Sequence, residues 1–197
     1  MITVVGIDPG LAATGVGIVR GAGSHVDSYS FGNIHTSKHL PLPDRLDRIF
    51  SRVMAALQDE RPDLLVVEDV FSLEKYPASG IILGKVSGVI LLASCRVNVP
   101  VVEISVREVK QVLTGNGSAT KLQLESAVRH FLNLSEAIRP SHAADAMALA
   151  LIGLLRYDHM IGQQDMGFSG SSKRNSMSRK MFRTMGLCGK ELQGKRV

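Results

Sequence analysis

The apolar and polar positions of this chain fall into two periods, and the switch between them marks out the elements. "TVVGID", Thr3–Asp8, is an apolar run of strand character that closes on an acid and a Pro9-Gly10 turn. "TGVGIVR" and "SYSFGNIHT" predict a second and a third strand, and their short connections predict an antiparallel meander. The period then becomes helical. Leu46, Ile49, Phe50, Val53, Met54 and Leu57 share one face of a helix opened by Pro43-Asp44 and stopped by Pro62. "LLVVE", Leu64–Glu68, predicts a fourth strand, again closed by an acid. Ala78–Arg96 predicts a helix apolar on most sides, and therefore covered on most sides. "VPVVEI" predicts a fifth strand, "SVREVKQVL" a short helix, "TGNGS" a glycine turn, and "ATKLQLESAVRHFLNL" and "SHAADAMALALIGLLRYD" two further helices.

Three strands and a helix followed by strand, helix, strand and helices is a mixed α/β pattern, with a sheet half meander and half parallel crossover. Past Asp158 the apolar pattern fades into Gly, Ser, Met and basic residues. The expected organisation is one domain over residues 1–158 and a basic, disordered tail over 159–197. Met177, Met181 and Met185 recur every four residues in that tail, where a solvated segment is the favoured expectation over a basic amphipathic helix.

Composition narrows the picture. The chain has 197 residues, 45% of them hydrophobic and none of them Trp, so aliphatic side chains must fill the core. Two distant cysteines, Cys95 and Cys188, make neither a disulfide framework nor a metal knuckle, which suits a reducing, cytoplasmic compartment. No secretory signal is expected, because Asp8-Pro9 breaks the first apolar run, and no membrane span, because Lys85 and three glycines interrupt Ala78–Cys95. The net charge of +5 is concentrated in the tail. Residues 160–197 hold eight Lys/Arg against two acids, so the body is close to neutral. Within the body, residues 75–121 carry a local excess: Lys75, Lys85, Arg96, Arg107, Lys110 and Lys121 against Glu103 and Glu108.

The candidate chemistry lies where acids interrupt apolar elements. Asp8 and Glu68 each end a strand, and the ends of central strands are where sites form in such sheets. Two carboxylates brought together repel each other, and a hard divalent cation such as Mg²⁺ or Mn²⁺ removes the conflict. His142 and Asp145, at i and i+3, open an otherwise apolar helix on one face. Ser141 before them is expected to cap that helix. Singly, each of these residues is most simply a turn-former, a solvated acid or a helix-terminus histidine; together they point to a site.

"GIDPGLAATGVGIV", "VVEDVF", "VREVKQVLTGNGSATK" and "RPSHAADAMALALI" occur in the order and spacing of one family. Over about residues 1–157 the chain resembles the RuvC family of bacterial Holliday-junction resolvases. The resemblance implies an RNase H-like fold with a five-stranded mixed sheet flanked by helices. It implies a homodimer that cuts two symmetric strands of a four-way DNA junction, leaving 5′-phosphate and 3′-hydroxyl ends. It implies two Mg²⁺ ions per subunit, with Mn²⁺ able to substitute, and hydrolysis by two-metal chemistry. Asp8, Glu68 and Asp145 match the acidic metal ligands, with Asp8 shared between the ions. His142 stands where many members carry a further Asp and some carry His. Phe71 matches the aromatic that wedges into the junction. Lys110 and Lys121 match lysines near the phosphates, and the glycines of "TGNGS" between them are expected to offer backbone N–H groups to a phosphate. The helix Ala78–Arg96 matches the dimer helix, with Gly80, Gly84 and Gly88 in one stripe. The family also implies RuvA and RuvB as partners.

Two other classes compete. An actin-like or sugar-kinase ATP-binding domain also begins strand, acid, glycine turn, strand, but needs a second lobe. A junction-binding module without catalysis, its chemistry weakened by His142, would bind four-way DNA and leave it intact.

Overall fold

The computed structural model describes residues 1–69 and 77–166, with Pro77 and residues 162–166 described by backbone alone. Five strands make one sheet: β1 (Ile2–Asp8), β2 (Ala13–Ala22), β3 (His25–His35), β4 (Leu64–Glu68) and β5 (Val101–Ile104). Their order is β3-β2-β1-β4-β5. β1 pairs antiparallel with β2, and β2 with β3, while β1–β4 and β4–β5 are parallel. The half-meander, half-crossover sheet read from the sequence is therefore the one that forms. The helices are α1 (Leu42–Glu60), α2 (Pro77–Val97), α3 (Val106–Thr114), α4 (Lys121–Phe131), α5 (Ser141–Leu155) and α6 (Tyr157–Met166).

Strand parity divides the core. Val4 of β1 and Leu64 and Val66 of β4 face one side, where they bury against α5 and, beyond it, Val109, Leu113, Leu124 and Val128 of α3 and α4. Val5, Ile7, Leu65 and Val67 face the other side, against Ile49, Val53 and Leu57 of α1 and Val86, Ile90 and Ala93 of α2. Both faces are covered, which explains why β1 and β4 are apolar throughout until their final acid.

Glycine sets how closely α5 lies on the sheet. A Cβ on Gly6 would fall 2.2 Å from the Ala146 carbonyl oxygen, one on Gly15 2.0 Å from that of His142, and one on Gly17 2.7 Å from the Met147 nitrogen. Apart from the His142 Cβ, the α5 atoms meeting this strip are backbone atoms of His142, Ala146, Met147, Leu149 and Ala150. The helix backbone thus rests almost directly on β1 and β2, and its first turn is carried to the ends of those strands.

Three expectations need correction. α2 is covered on one face, not most: Val86, Ser87, Ile90, Ala93 and Ser94 are buried, whereas Ile81, Gly84, Lys85, Gly88, Leu92 and Cys95 are exposed. Among the described residues it is the one helix long and apolar enough to cross a membrane, with 28% of its most apolar 18-residue stretch buried. Ser141 does not cap α5. Pro140 occupies the N-cap position without a side-chain hydrogen bond, and Ser141 is already helical, because the extended backbone of Pro140 ends where the helix starts. The amides of "TGNGS" are not free for a phosphate. Gly115 N–H donates to the Gln111 carbonyl, Asn116 N–H to Thr114 Oγ1, Gly117 N–H to Gln111 Oε1, and Ser118 N–H to Asn116 Oδ1. Short polar side chains within and before the turn satisfy its donors locally.

Residues 1–161 form one compact unit. Helix α6 crosses the boundary expected at 158, and Met160 is buried. Residues 167–197, with Met177, Met181 and Met185, lie outside the described residues, as does the segment 70–76.

Candidate metal centre

Register brings the acids together. Ile7 pairs with Val67 in the parallel β1–β4 ladder, so Asp8 and Glu68, the next residues of each strand, end side by side on the α5 face. Asp8 is 7% exposed. From above, α5 supplies His142 and Asp145. His142 Nδ1 lies 2.7 Å from Asp8 Oδ2, and one ligand atom from each of Asp8, His142 and Asp145 falls within 4.8 Å of the others. A fifth group comes from α4. Its start is pinned by a reciprocal capping box between Thr120 and Gln123, which fixes Lys121 at the first helical position. Lys121 Nζ lies 2.5 Å from Asp145 Oδ2.

The electrostatics describe a site built for cations. Burial pushes the Asp8 carboxyl above the usual carboxylate range, opposed by hydrogen bonds from His142 and Glu68. Burial, then the neighbouring Asp8 charge, pushes Glu68 up to about 8, so Glu68 keeps its proton and donates it to Asp8. Two buried carboxyls sharing one proton, a third acid held by an ammonium, and an imidazole facing the middle form a hard O/N donor set held together by stand-in positive charge. That donor set fits Mg²⁺ or Mn²⁺, with the nitrogen tilting it toward Mn²⁺.

The structure therefore unites Asp8, Glu68, His142 and Asp145. Lys121, expected near phosphates, sits within the acid cluster itself. Lys110 lies half-buried on α3, and among the described residues it forms no ion pair. Phe71 lies outside the described residues. One polar residue beside the centre was not anticipated. The Asn33 side chain on β3 has both amide atoms buried and without a hydrogen-bond partner among the described residues. The available sequence signal was an asparagine inside a strand, where amides are disfavoured.

A mixed sheet with acids at the ends of two adjacent central strands, and a helix laid across them to add a third acid, defines an RNase H-like nuclease fold. Comparison with known proteins narrows this class. The profile of the crossover junction endodeoxyribonuclease RuvC matches residues 4–153, and the chain belongs to that family. A crossover junction endodeoxyribonuclease RuvC from Thermotoga petrophila is 40% identical over 147 residues, covering 75% of this chain and 88% of the relative. That of Mannheimia succiniciproducens is 40% identical over 151 residues, covering 77% and 74%. Among solved structures, Thermus thermophilus RuvC in complex with Holliday junction substrate superposes with a TM-score of 0.75 at 35% identity, covering 81% of this chain and 96% of that one. The yeast mitochondrial Holliday junction resolvase shares the fold, with a TM-score of 0.54 at 13% identity, covering 81% and 80%.

Proposed function

We propose that this chain resolves four-way DNA junctions by paired, symmetric, metal-dependent phosphodiester hydrolysis, leaving 5′-phosphate and 3′-hydroxyl nicks. The observation that carries this is the convergence of Asp8, Glu68, His142 and Asp145 from two strands and a helix. Asp8, central and deepest, would be shared between two cations. Glu68 would hold one, and His142 with Asp145 the other. When bound, the cations, Mg²⁺ with Mn²⁺ able to replace it, neutralise charge at the scissile phosphate and activate the attacking water. With cations held, Glu68 would be ionised, its proton lost to solvent, and Lys121 would be free of Asp145 to face a phosphate oxygen. Phe71 is proposed as the wedge at the branch point, and Lys110 as a phosphate contact.

A homodimer, acting in the cytoplasm, completes the reading. The exposed stripe of α2 presents Ile81, Leu92 and two glycines with nothing within 4 Å of their Cβ positions. A two-fold pairing through that stripe would yield two equivalent sites, matching the symmetry of a junction. RuvA and RuvB are the partners the family implies.

The test is a nicking assay on a synthetic four-way junction with wild type and Asp8→Asn. Paired, religatable nicks with Mg²⁺ or Mn²⁺, lost in Asp8→Asn with junction binding retained, are expected. Tight binding with intact strands under both metals would reduce the protein to a binding module.

A further inference from the structure

Among the described residues, Asn33 stands beside the candidate metal centre with both side-chain polar atoms buried and unpartnered. Register places it. Asp8 pairs with Gly15 across β1–β2, and Gly15 pairs with Asn33 across β2–β3. Directly opposed residues of antiparallel strands point to the same face, with neighbouring strands about 4.8 Å apart. Asp8, Gly15 and Asn33 therefore form one row on the α5 face, an acid and an amide on either side of a glycine. His142 lies over that glycine. Its carbonyl oxygen and its Cβ are 2.0 and 3.2 Å from where a Gly15 Cβ would be. Asp8 is bonded to its Nδ1 from the β1 side, and the register sets Asn33 next to Gly15 on the β3 side.

Buried amides in native proteins are hydrogen-bonded, and an orphan among them marks a water, an ion or a function. Both the Asn33 oxygen and nitrogen are buried orphans among the described residues. A histidine that binds a metal through one ring nitrogen carries its proton on the other. It almost always donates that proton to a carbonyl, carboxylate or water that fixes the ring. With Nδ1 turned toward Asp8, the proton falls to Nε2 once a cation is held.

We infer that Asn33 is a positioning residue for His142, its Oδ1 accepting from Nε2–H once a cation is held and the ring is fixed. The inference rests on the cation-site reading above. It assigns to β3, the edge strand that supplies no ligand, the task of fixing the ring orientation from the far side of the row.

The test is Mn²⁺ binding to the full chain, followed by electron paramagnetic resonance, in wild type, Asn33→Ala, His142→Asp and the double variant. Asn33→Ala should weaken Mn²⁺ binding about tenfold in the wild-type background. In the His142→Asp background, where there is no ring to hold, it should do so less than twofold. Equal losses in both backgrounds, or no loss in wild type, would overturn the inference by making Asn33 structural or idle. If wild type bound Mn²⁺ no better than Asp8→Asn, the cation-site reading would fail and take this one with it. A second measurement needs no variant. In ¹⁵N-histidine-labelled wild type with Mg²⁺, His142 should show a protonated Nε2 whose hydrogen exchanges slowly with solvent. A bare or fast-exchanging Nε2 would count against the inference.

Discussion

Lys121 Nζ lies 2.5 Å from Asp145 Oδ2, an ammonium lodged against an acid of the proposed cation site. The lysine is fixed at the first turn of α4 by the Thr120–Gln123 capping box, so it competes with the cation from a preset position. Lys121→Met should therefore bind Mn²⁺ several-fold more tightly than wild type, while cutting at least tenfold more slowly, since the same group is lost to the substrate phosphate. Calorimetric titration of the cation, alongside single-turnover cleavage, checks both signs. Weaker cation binding in the variant would show that Lys121 organises the site rather than competes for it.

Glu68 carries the pH dependence. Its carboxyl is pushed from 4.5 in the unfolded chain to about 8 by burial and by Asp8. The folded protein thus holds a proton that the unfolded chain surrenders. The contribution is fully present below about 4.5 and is lost as pH rises toward about 8. Without divalent cations, the melting temperature should fall across that window. Glu68→Gln should flatten the fall, and Mg²⁺ should oppose it by replacing the proton. Thermal melts in EDTA and in Mg²⁺ decide this. A cation-free melting temperature that climbs from pH 5 to 8 would contradict the shared proton.

Much of this centre was legible before any coordinates, for a physical reason. An acid ending an apolar strand and a polar pair opening an apolar helix violate the local pattern, and such violations are costly without a function. Asp8, Glu68, His142 and Asp145 announced themselves that way. Lys121 gave no such sign of its place, because its meeting with Asp145 depends on how α4 packs against α5. The exposure of the outer face of α2 was not legible, because hydropathy does not distinguish a helix covered on most sides from one that leaves an apolar stripe open. The amides of "TGNGS" were misassigned because Thr114, Asn116 and Gln111 compete for them with any ligand.

The glycine strip separates placement from stability. Gly15→Ala would put a methyl 2.0 Å from the His142 carbonyl oxygen, a rigid backbone atom, and must lift the first turn of α5. A displacement of about 1 Å at a catalytic centre costs roughly 10²-fold in rate. Gly153→Ala, at the other end of α5, meets the Val4 and Val66 side chains at 2.6 and 2.7 Å. Overpacking there should destabilise by about 1–3 kcal/mol but leave the activity of folded molecules intact. Cleavage rates normalised to folded fraction, with denaturant melts, separate the two. Equal rate losses would mean that the strip does not position the site.

His142, proposed as a ligand, should set the metal preference. Imidazole is a softer ligand than carboxylate and binds only when neutral. Replacing it by a carboxylate in His142→Asp should lower the ratio of Mn²⁺- to Mg²⁺-supported rates several-fold. Initial rates on a junction substrate with each metal test it. An unchanged ratio would remove His142 from the ligand set.

The α2 stripe makes a prediction of opposite signs for monomer and dimer. Gly88 is exposed on the outer face, with nothing within 4 Å of its Cβ position, so a large side chain there costs the single subunit no packing. Replacing a mid-helix glycine by a good helix former should favour the isolated subunit by up to about 1 kcal/mol. In a two-fold pairing through this stripe, each subunit would bring an arginine's bulk and charge into the interface. Gly88→Arg should therefore sediment as a monomer at concentrations where wild type should sediment as a dimer, with no loss of subunit stability. It should retain the Mn²⁺ site, since Asp8, Glu68, His142 and Asp145 all come from one chain. Paired nicking should give way to slow, uncoupled single nicks. A Gly88→Arg protein that remains dimeric would place the interface elsewhere and leave Ile81 and Leu92 to be explained by some other contact.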